Sequence, residues 1–294
     1  MVQTREEKLK RIGIHIGLVL FIVLITLPFL MVLSISFRAG NLAVGSLVPE
    51  HFSLEHWALA FGFDWTDANG NVITPRYPVM RWLWNSVKVG LLSAGLIVLL
   101  STTSAYAFSR FRFRNRENLL KFLMLIQVFP AVLALTAFYA FFNTLGSVVT
   151  WLGVNSHWTL IIAYSGGIIM HIWTIKGYYD TIDISLDEAA MLDGANRWET
   201  FRHVMLPLSG PVLAVVFILA FIGIVSEFPL ASIMLNEEGK MTLSVGMRLF
   251  LRKNEYRWGD FAAAAILSGI PITVVFLYAQ RWIVDGLTAG GVKG

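Results

Sequence analysis

Six apolar stretches, each close to twenty residues or longer, constrain this sequence more than any other feature. A helix needs about 20 apolar residues to cross the ~30 Å of hydrocarbon in a bilayer. Soluble domains carry about 25% charged residues, whereas this chain carries 14%. The sequence therefore predicts an all-α polytopic membrane protein with six transmembrane helices. The expected spans are Ile12–Ile35, Trp84–Phe108, Leu119–Phe142, Trp158–Ile175, Val212–Leu235 and Phe261–Val284.

The first stretch follows a basic N-terminus and could be mistaken for a secretory signal. It is longer than the roughly 7–15 apolar residues of a signal sequence and lacks the usual small-x-small cleavage site. We interpret it as an uncleaved first span. The distribution of lysine and arginine then sets the orientation. With a cytoplasmic N-terminus, 14 of the 23 basic residues fall on the cytoplasmic side, including all four arginines of the run 110–116. Both termini are therefore expected in the cytoplasm.

This topology divides the chain into four segments. Residues 1–36 form the cytoplasmic N-terminus and first span, and residues 37–83 form an external loop. Residues 84–284 form a five-helix core with a cytoplasmic loop at 180–210 and an external loop at 236–260, and residues 285–294 form a cytoplasmic tail. Within the first external loop, the pattern from Ser53 to Phe61 predicts a short amphipathic helix. We assign Trp82 and Trp84 to the aromatic belt at the membrane interface.

A polar stretch, Ser185–Pro207, separates two apolar spans on the predicted cytoplasmic side. Ser185 and Glu188 have the S-x-x-E spacing of a capping box, which predicts that a helix begins here. Gly194, after Asp193, lies one helical run later and tolerates the left-handed conformation that commonly ends a helix. Ala189 is small and would let another backbone approach this helix closely.

A second helix is expected directly after the first. Asn196 and Glu199 repeat the capping spacing, and Pro207 is expected to close the helix. Trp198 and Phe201 begin an apolar stripe along it. The two helices would form a hairpin suited to being gripped by another protein. The alternative is an amphipathic hairpin that lies on the bilayer surface.

The hairpin also carries a family resemblance. Glu188-Ala189-Ala190, then Asp193-Gly194-Ala195 and Leu206-Pro207-Leu208, resembles the EAA loop of permeases in binding-protein-dependent ABC importers. Runs such as 105–110, 173–178 and 258–264 extend the resemblance, to maltose-type permeases, over nearly the whole chain. It implies the type I ABC importer transmembrane fold, with this loop as a cytoplasmic coupling helix that docks into a cleft of an ATPase. The residues expected to couple are Ser185, Glu188, Ala189, Ala190, Asp193, Gly194, Trp198 and Phe201.

The resemblance further implies partners and a place in the cell. The partners are a second permease subunit, a homodimer of cytoplasmic ATPase subunits and a periplasmic sugar-binding protein. The cargo is maltose or maltodextrin, the location is the bacterial inner (plasma) membrane, and no cofactor is expected. An external loop of such permeases probes the sugar cleft of the binding protein, which here designates Leu249, Phe250, Leu251, Asn254 and Tyr256. The tail that would extend between the ATPase subunits is Gly290, Gly291, Val292, Lys293 and Gly294.

Polar or glycine-rich positions within the spans are candidates for the translocation pathway, because burying polar groups in lipid is costly. Gln127 lies in the third span, and Gly166 and Gly167 interrupt the fourth. Glu227 lies in the outer half of the fifth, where a pathway role and a structural interhelical bond both remain open. His171 is more simply a packed polar residue.

Several chemistries are excluded by the sequence. The chain has no G-x-x-x-x-G-K-[ST] run for binding ATP and no cysteine for a disulfide or a thiol nucleophile. It offers no plausible nucleophile–base pair, so we expect a non-catalytic subunit rather than an intramembrane enzyme. Two other hypotheses remain: a permease for a different oligosaccharide, and a secondary transporter in which Glu227 and His171 carry protons.

Overall fold

The computed structural model of the protein describes residues 5–252 and 255–290, and nearly all regular structure there is helical. Two antiparallel hairpins of two-residue strands are added: β1 (Trp65–Thr66) with β2 (Val72–Ile73), and β3 (Leu251–Arg252) with β4 (Glu255–Tyr256). The helices are α1 (Arg5–Ser36), α2 (Glu55–Phe61), α3 (Val79–Arg110), α4 (Arg116–Gln127), α5 (Leu135–Val148), α6 (His157–Ser165), α7 (Ile168–Thr181), α8 (Ser185–Leu192), α9 (Arg197–Thr200), α10 (Leu206–Leu208), α11 (Gly210–Ser226), α12 (Pro229–Met234), α13 (Leu243–Gly246) and α14 (Trp258–Gly290).

Long apolar helices account for the predicted spans. Among the described residues, Lys10–Ser36, Val79–Arg110 and Trp258–Trp282 are each long and apolar enough to cross a membrane alone. Three further candidates are bent pairs of helices, which bring the total to as many as six when each pair is one span. The pairs are Arg116–Gln127 with Val132–Val148, bent by 78°, His157–Ser165 with Ile168–Thr181, bent by 48°, and Arg197–Leu208 with Gly210–Ser226, bent by 75°.

The fifth span differs from its predicted form. We expected a continuous helix over Val212–Leu235, but α11 ends at Ser226 and α12 starts again at Pro229. Proline lacks an N–H and disfavours helical geometry in the residue before it. The residue before Pro229 is Phe228, which has left helical geometry with φ −121° and ψ −47°, and Glu227 before it is extended, with φ −68° and ψ 131°. The break therefore has a local cause that a pattern of hydrophobicity does not reveal.

One compact unit comprises the chain up to Met80 together with Met247–Leu267. It contains the predicted short external helix, confirmed as α2, which ends at Gly62 with a left-handed φ of 90°. Helix α1 belongs to the same unit, and in its most apolar window no residue is buried within the chain. Along that window the helix therefore offers its whole circumference to lipid or to another subunit.

A buried histidine joins distant segments of this first unit. The His56 ring is fully buried, with Nδ1 2.6 Å from Asp260 Oδ1 and Nε2 3.0 Å from the carbonyl oxygen of Gly40. Both neighbours are hydrogen-bond acceptors, so a ring that donates to both must carry two protons. Arg257 Nε lies 3.0 Å from the second carboxylate oxygen of Asp260. The imidazolium thus ties α2 to the beginning of α14.

The second compact unit comprises Arg81–Gly246 and the chain from Ser268. Its buried side chains form separate clusters, one around Tyr179 and Met205, one around Leu160 and Met234, and one around Phe221. Clusters of this kind, rather than one central core, are expected where lipid covers much of the outer surface. The cluster around Tyr179 and Met205 includes Phe201 and so joins the predicted cytoplasmic hairpin to the rest of the unit.

Trp82 does not belong to the aromatic belt, contrary to the sequence-based assignment. Its side chain is fully buried in the second unit, and its Nε1–H donates to the carbonyl oxygen of Glu238 at 2.7 Å. Gly246 lies against its ring, where a Cβ atom would collide. Trp84, by contrast, is 64% exposed, as a belt residue should be.

We predict that the stability of the first unit depends on pH through His56. Burial acts to lower the pKa of the ring, but the hydrogen bond and charge of Asp260 outweigh it and hold that pKa above its ordinary value of 6.5. A raised folded-state pKa means that the stabilisation is fully present below pH 6.5 and is lost as the pH rises through the folded value.

Hydrogen exchange of the α2 amides, measured from pH ~6 to ~9 and corrected for intrinsic rates, should show falling protection in the native protein. His56→Gln should remove this dependence, whereas His51→Gln, at an exposed position, should leave it intact. Equal pH slopes for the native protein and His56→Gln would contradict the prediction.

Candidate coupling site

The predicted cytoplasmic hairpin is present, and its turn is built as the sequence indicates. Helix α8 ends at Leu192, and Gly194 adopts the left-handed conformation with φ 91°. The N–H of Gly194 donates to the carbonyl of Met191 at 3.1 Å, and the N–H of Ala195 to the carbonyl of Ala190 at 3.0 Å. These bonds satisfy carbonyls at the end of the helix, so the chain reverses sharply.

The two predicted capping boxes have different outcomes. At the second helix, Asn196 Oδ1 accepts from the N–H of Glu199 at 3.0 Å, and Glu199 returns a bond to the N–H of Asn196 at 2.7 Å, which confirms that box. The prediction of a capping box formed by Ser185 and Glu188 is wrong, because no side chain caps the start of α8 in this way. Ile184 is already helical, and the Asp183 carboxylate instead accepts from the N–H of Ser185 at 2.9 Å.

Pro207 does not close the second helix. A π-helical turn over Phe201–Met205 follows α9, and α10 continues to Leu208. The wider turn precedes the proline, which has no N–H to donate to the preceding turn. The chain bends between Leu208 and Gly210, where the hairpin joins the long apolar helix α11.

A buried ion pair fixes the hairpin to the rest of its unit. Arg110, at the end of α3, donates from Nε to the carboxylate of Asp187 in α8, and only 8% and 3% of the two side chains are exposed. The guanidinium also donates from Nη2 to the carbonyl of Ile182 at 2.9 Å. A carboxylate and a guanidinium removed from water must satisfy each other, because either alone would be costly to bury. This pair therefore ties the hairpin rigidly to a membrane-spanning helix.

A second polar link lies beside the first. Asp180, at the end of α7, accepts from the hydroxyl of Ser109 at 2.7 Å and pairs with Lys176 at 2.5 Å. Ser109 in turn accepts a bond from Nη1 of Arg110 at 3.2 Å. The ends of α3 and α7 and the start of the hairpin are thus held by one network.

Apolar packing anchors the second helix of the hairpin. Phe201 and Met205 are buried, and the ring of Phe201 lies 4.9 Å from the ring of Tyr106 on α3. The hydroxyl of Tyr106 donates to the carbonyl of Arg197 at 3.3 Å. Trp198 contacts the same cluster at one edge but is 62% exposed. One face of this helix is therefore attached to the unit, and the other face is free.

The outer face of the hairpin is unusually apolar for an exposed polar loop. Glu188 and Ala189 are exposed and Ala190 is partly buried, so the residues expected to meet a partner are accessible. Contiguous apolar side chains that are exposed to solvent on a loop mark a binding surface. The exposed apolar side chains of the hairpin region include Ile184 at 54%, Leu186 at 45%, Leu192 at 88% and Trp198 at 62%.

The candidate pathway residues do not form one site. Glu227 accepts from the hydroxyl of Tyr164 at 2.6 Å and from the N–H groups of Leu230 and Ala231 at 2.7 and 3.0 Å. The structural interpretation of Glu227 is thus the one that its contacts support, since it caps α12 and joins it to α6. Gly166 and Gly167 mark the 48° bend between α6 and α7, as expected.

Gln127 and His171 lie elsewhere in the same unit. Gln127 is exposed at the end of α4, beside the 78° bend that leads to α5. His171 is half-buried on α7. Among the described residues, no group of three histidine, aspartate or glutamate side chains could hold a metal ion.

The predicted insertion loop is only partly available for insertion. Phe250 is 4% exposed, and its ring meets the ring of Tyr77 edge-on at 5.1 Å, so its assignment as an inserting residue is wrong. Leu249 and Leu251 are half-buried, whereas Tyr256 is 54% exposed and stacks on Trp258. Asn254 lies outside the described residues. The sequence alone does not distinguish an aromatic residue that is buried in its own unit from one that is exposed and binds a partner.

Of the segment Gly290–Gly294 that is expected to contact the ATPase, only Gly290 lies within the described residues. Helix α14 continues to Gly290, beyond the expected start of the tail at residue 285. Gly291, Val292, Lys293 and Gly294 lie outside the described residues. Their assignment as an ATPase-contacting segment stays a prediction.

Sequence reasoning missed the acidic member of the buried ion pair. Asp187 was not singled out because an acidic residue in the first turn of a helix is ordinary. In the structure Asp187 is the one buried residue of α8. The sequence marks Arg110 as part of the basic run that sets orientation and of the run 105–110 that carries the family resemblance.

Comparisons with known proteins agree with this architecture. Residues 97–288 match the family model described as "Binding-protein-dependent transport system inner membrane component". The chain is 58% identical, over its full length and 99% of the relative, to the maltose/maltodextrin transport system permease protein MalG of Vibrio vulnificus. It is 55% identical, with the same coverage, to the protein of that name from Escherichia coli K12.

Solved structures show the same fold at low sequence identity. A chain of a bacterial ABC transporter involved in the import of the acidic polysaccharide alginate superposes with a TM-score of 0.75 at 19% identity, covering 96% of this chain and 99% of that one. A chain of an alginate ABC transporter in complex with an alginate pentasaccharide-bound periplasmic protein gives 0.62 at 16% identity, covering 95% and 96%. The predicted type I ABC importer transmembrane fold is confirmed.

We predict that Asp187→Ala will loosen the hairpin. The change leaves the Arg110 guanidinium buried without its counter-charge, which should cost about 3–5 kcal/mol. Amide hydrogen exchange in α8 should then be faster by roughly 100-fold or more. Asp193→Ala is the matched control, because Asp193 is exposed on the same hairpin. Similar exchange rates in the two variants would show that the ion pair does not fix the hairpin.

Proposed function

The chain belongs to the family of binding-protein-dependent transport system inner membrane components, and on that premise we propose that it is the permease subunit of an ATP-driven importer for maltose and maltodextrins. The observation that carries the cargo assignment is the identity of 55–58% with maltose/maltodextrin permeases along the entire chain. The likeness to the alginate transporters supports the fold alone, because identity there is below 20%.

The proposed assembly contains this chain, a second permease subunit, two copies of an ATPase subunit and a periplasmic sugar-binding protein. The chain itself has no phosphate-binding G-x-x-x-x-G-K-[ST] run. We therefore assign ATP hydrolysis to the separate ATPase subunits and a non-catalytic role to this chain. Both termini lie in the cytoplasm in this proposal, and the hairpin then faces the ATPase.

The mechanism follows from how the hairpin is held. Its exposed apolar face docks on the ATPase, and its inner face is fixed to α3 by Arg110 with Asp187 and by the packing of Phe201 on Tyr106. When the ATPase dimer closes, the hairpin moves as a rigid lever and transfers the motion to the spans. ATP can drive this change only because it binds the closed ATPase state more tightly than the open one.

Bends in the spans provide places where such motion can be absorbed. The α6–α7 pair bends at Gly166 and Gly167, and the α11–α12 pair breaks at Glu227. Broken helices commonly surround the cargo pathway of transporters, since irregular backbone is tolerated where it lines a cavity. Alternating access would then be a change in the angles at these breaks.

Two further contacts complete the proposal. The segment Gly290–Gly294 extends between the ATPase subunits, and the hairpin of β3 and β4 faces the binding protein, with Tyr256 as its exposed aromatic residue. The proton-coupled alternative draws less support, because both oxygens of Glu227 are already engaged by Tyr164 and by the N–H groups of α12.

We expect transport by the reconstituted complex to follow ATP. In proteoliposomes that hold all subunits, uptake of maltose should require ATP on the ATPase side and should survive a protonophore. Maltodextrins should compete with the labelled maltose, and alginate oligosaccharides should not. Uptake that persists without ATP and collapses with the protonophore would establish the secondary-transporter alternative instead.

We also expect Gly194→Asp to uncouple the permease from its ATPase. The added carboxylate and side chain stand at the tip of the docking hairpin, so copurification of the ATPase and sugar-stimulated ATP hydrolysis should both be lost. Gly62→Asp is the matched control, because Gly62 has nearly the same left-handed φ, 90° against 91°, and an equally open surrounding on the opposite, external side. Survival of both activities in Gly194→Asp would remove the hairpin from the docking role.

A further inference from the structure

A cavity of about 480 Å³ in the second unit carries an excess of positive charge that the chain does not neutralise. It lies where the external ends of α3 and α6 meet the loop before α13. None of its described lining residues is acidic, whereas Arg81, Lys88 and Lys240 contribute cationic side chains. A surface built in this way attracts an anion.

Two of these cations form no ion pair in the described part of the chain. Lys240 pairs with Glu237 at 3.0 Å. Within the described part of the chain, neither Arg81 nor Lys88 makes a side-chain hydrogen bond or ion pair. The two residues stand on one face of α3, seven positions and about 10 Å apart along the axis. Lys88 is half-buried on a membrane-spanning helix, where an unpaired ammonium is costly.

The frame of the cavity is built and held by hydrogen bonds. Asn85, between the two cations on α3, donates to the carbonyls of Gly239 and Met241 at 3.2 and 2.9 Å. Asn155 Oδ1 accepts from the N–H of Asn236 at 2.6 Å, and His157 Nε2 donates to the carbonyl of Lys240 at 2.7 Å. The Nδ2 of Asn85, the Oδ1 of Asn155 and the Nε2 of His157 are thus used to position the loop that lines the cavity. Among the charged lining residues that the structure describes, Arg81 and Lys88 are the two that no carboxylate pairs with.

The rim places the cavity at the depth of lipid headgroups. Trp151 and Trp158 line it, meet edge-on at 6.5 Å and are both more than half exposed. Exposed tryptophans beside lysine or arginine at the end of a span are typical of the membrane interface. An anion at this depth is most simply the phosphate of a phospholipid, since the bilayer supplies it at high local concentration.

We propose that this cavity binds the phosphate of an anionic phospholipid, with Arg81 and Lys88 as its cationic ligands. In the proposed topology the lipid belongs to the outer leaflet. Its phosphate neutralises the two cations, and its acyl chains lie against the apolar surface of the spans. The bound lipid would thereby stabilise the packing of α3 against the loop that precedes α13.

The test uses the assembled transporter in nanodiscs of phosphatidylcholine, with phosphatidylglycerol added in steps. Retention of phosphatidylglycerol is measured by native mass spectrometry. Each cation near a membrane surface is worth roughly fivefold in affinity for anionic lipid, so Lys88→Gln should lose about fivefold and Arg81→Gln/Lys88→Gln about 25-fold. Lys88→Arg should retain the native affinity, and Arg252→Gln, an exposed external cation elsewhere, should have no effect.

A second measurement needs no variant. A phosphatidylglycerol with a photoreactive headgroup should label peptides from residues 81–92 or 150–158 of the native complex. Unchanged lipid affinity in the double variant would overturn the proposal. Displacement of the lipid by millimolar inorganic phosphate would make the ligand a free anion, and absence of labelling would show that another subunit covers the cavity; each result would overturn the lipid assignment.

Discussion

The buried ion pair between Arg110 and Asp187 is the contact on which the functional interpretation depends. A polar hairpin outside the membrane has little reason to move together with an apolar helix inside it. Here a guanidinium at the very end of α3 and a carboxylate in the first turn of α8 remove each other's charge from water. Because neither side chain can leave without exposing the other to a poorly solvating environment, a displacement of the hairpin must displace α3 as well.

The inner face of the hairpin is held firmly by this ion pair, whereas its outer face makes few contacts within the described part of the chain. Leu192 and Trp198 are largely exposed, and Ala189 presents almost no side chain to an approaching surface. The inner side of the hairpin is thus fixed to its own unit, and the outer side is apolar and exposed, so that it can bind another protein. That division is what a part that transmits force between two proteins requires, since a loosely held element would absorb the motion that it should transfer.

Much of this arrangement could be predicted from the sequence, and the reasons are physical. Spans are read from length and apolarity, the turn at Gly194 follows from its tolerance of positive φ, and the Asn196–Glu199 box is a local pattern. The failures are of another kind. Ser185 lost its capping role because Ile184 was already helical, and Phe250 and Trp82 proved to be buried rather than exposed. The failure at Ser185 is local, since Asp183 makes the bond two residues earlier. The burial of Phe250 and Trp82 depends on contacts with residues far apart in sequence, which local patterns do not encode.

Helix α1 has a consequence for the life of the newly made chain. Its apolar window buries nothing within its own subunit, and the hairpin leaves its leucine and tryptophan side chains uncovered. Without partners, the chain therefore displays both a span that its own subunit leaves uncovered and an exposed apolar surface at the hairpin. Partners that cover both surfaces would stabilise the folded chain, because whatever binds only the folded state shifts the equilibrium toward it.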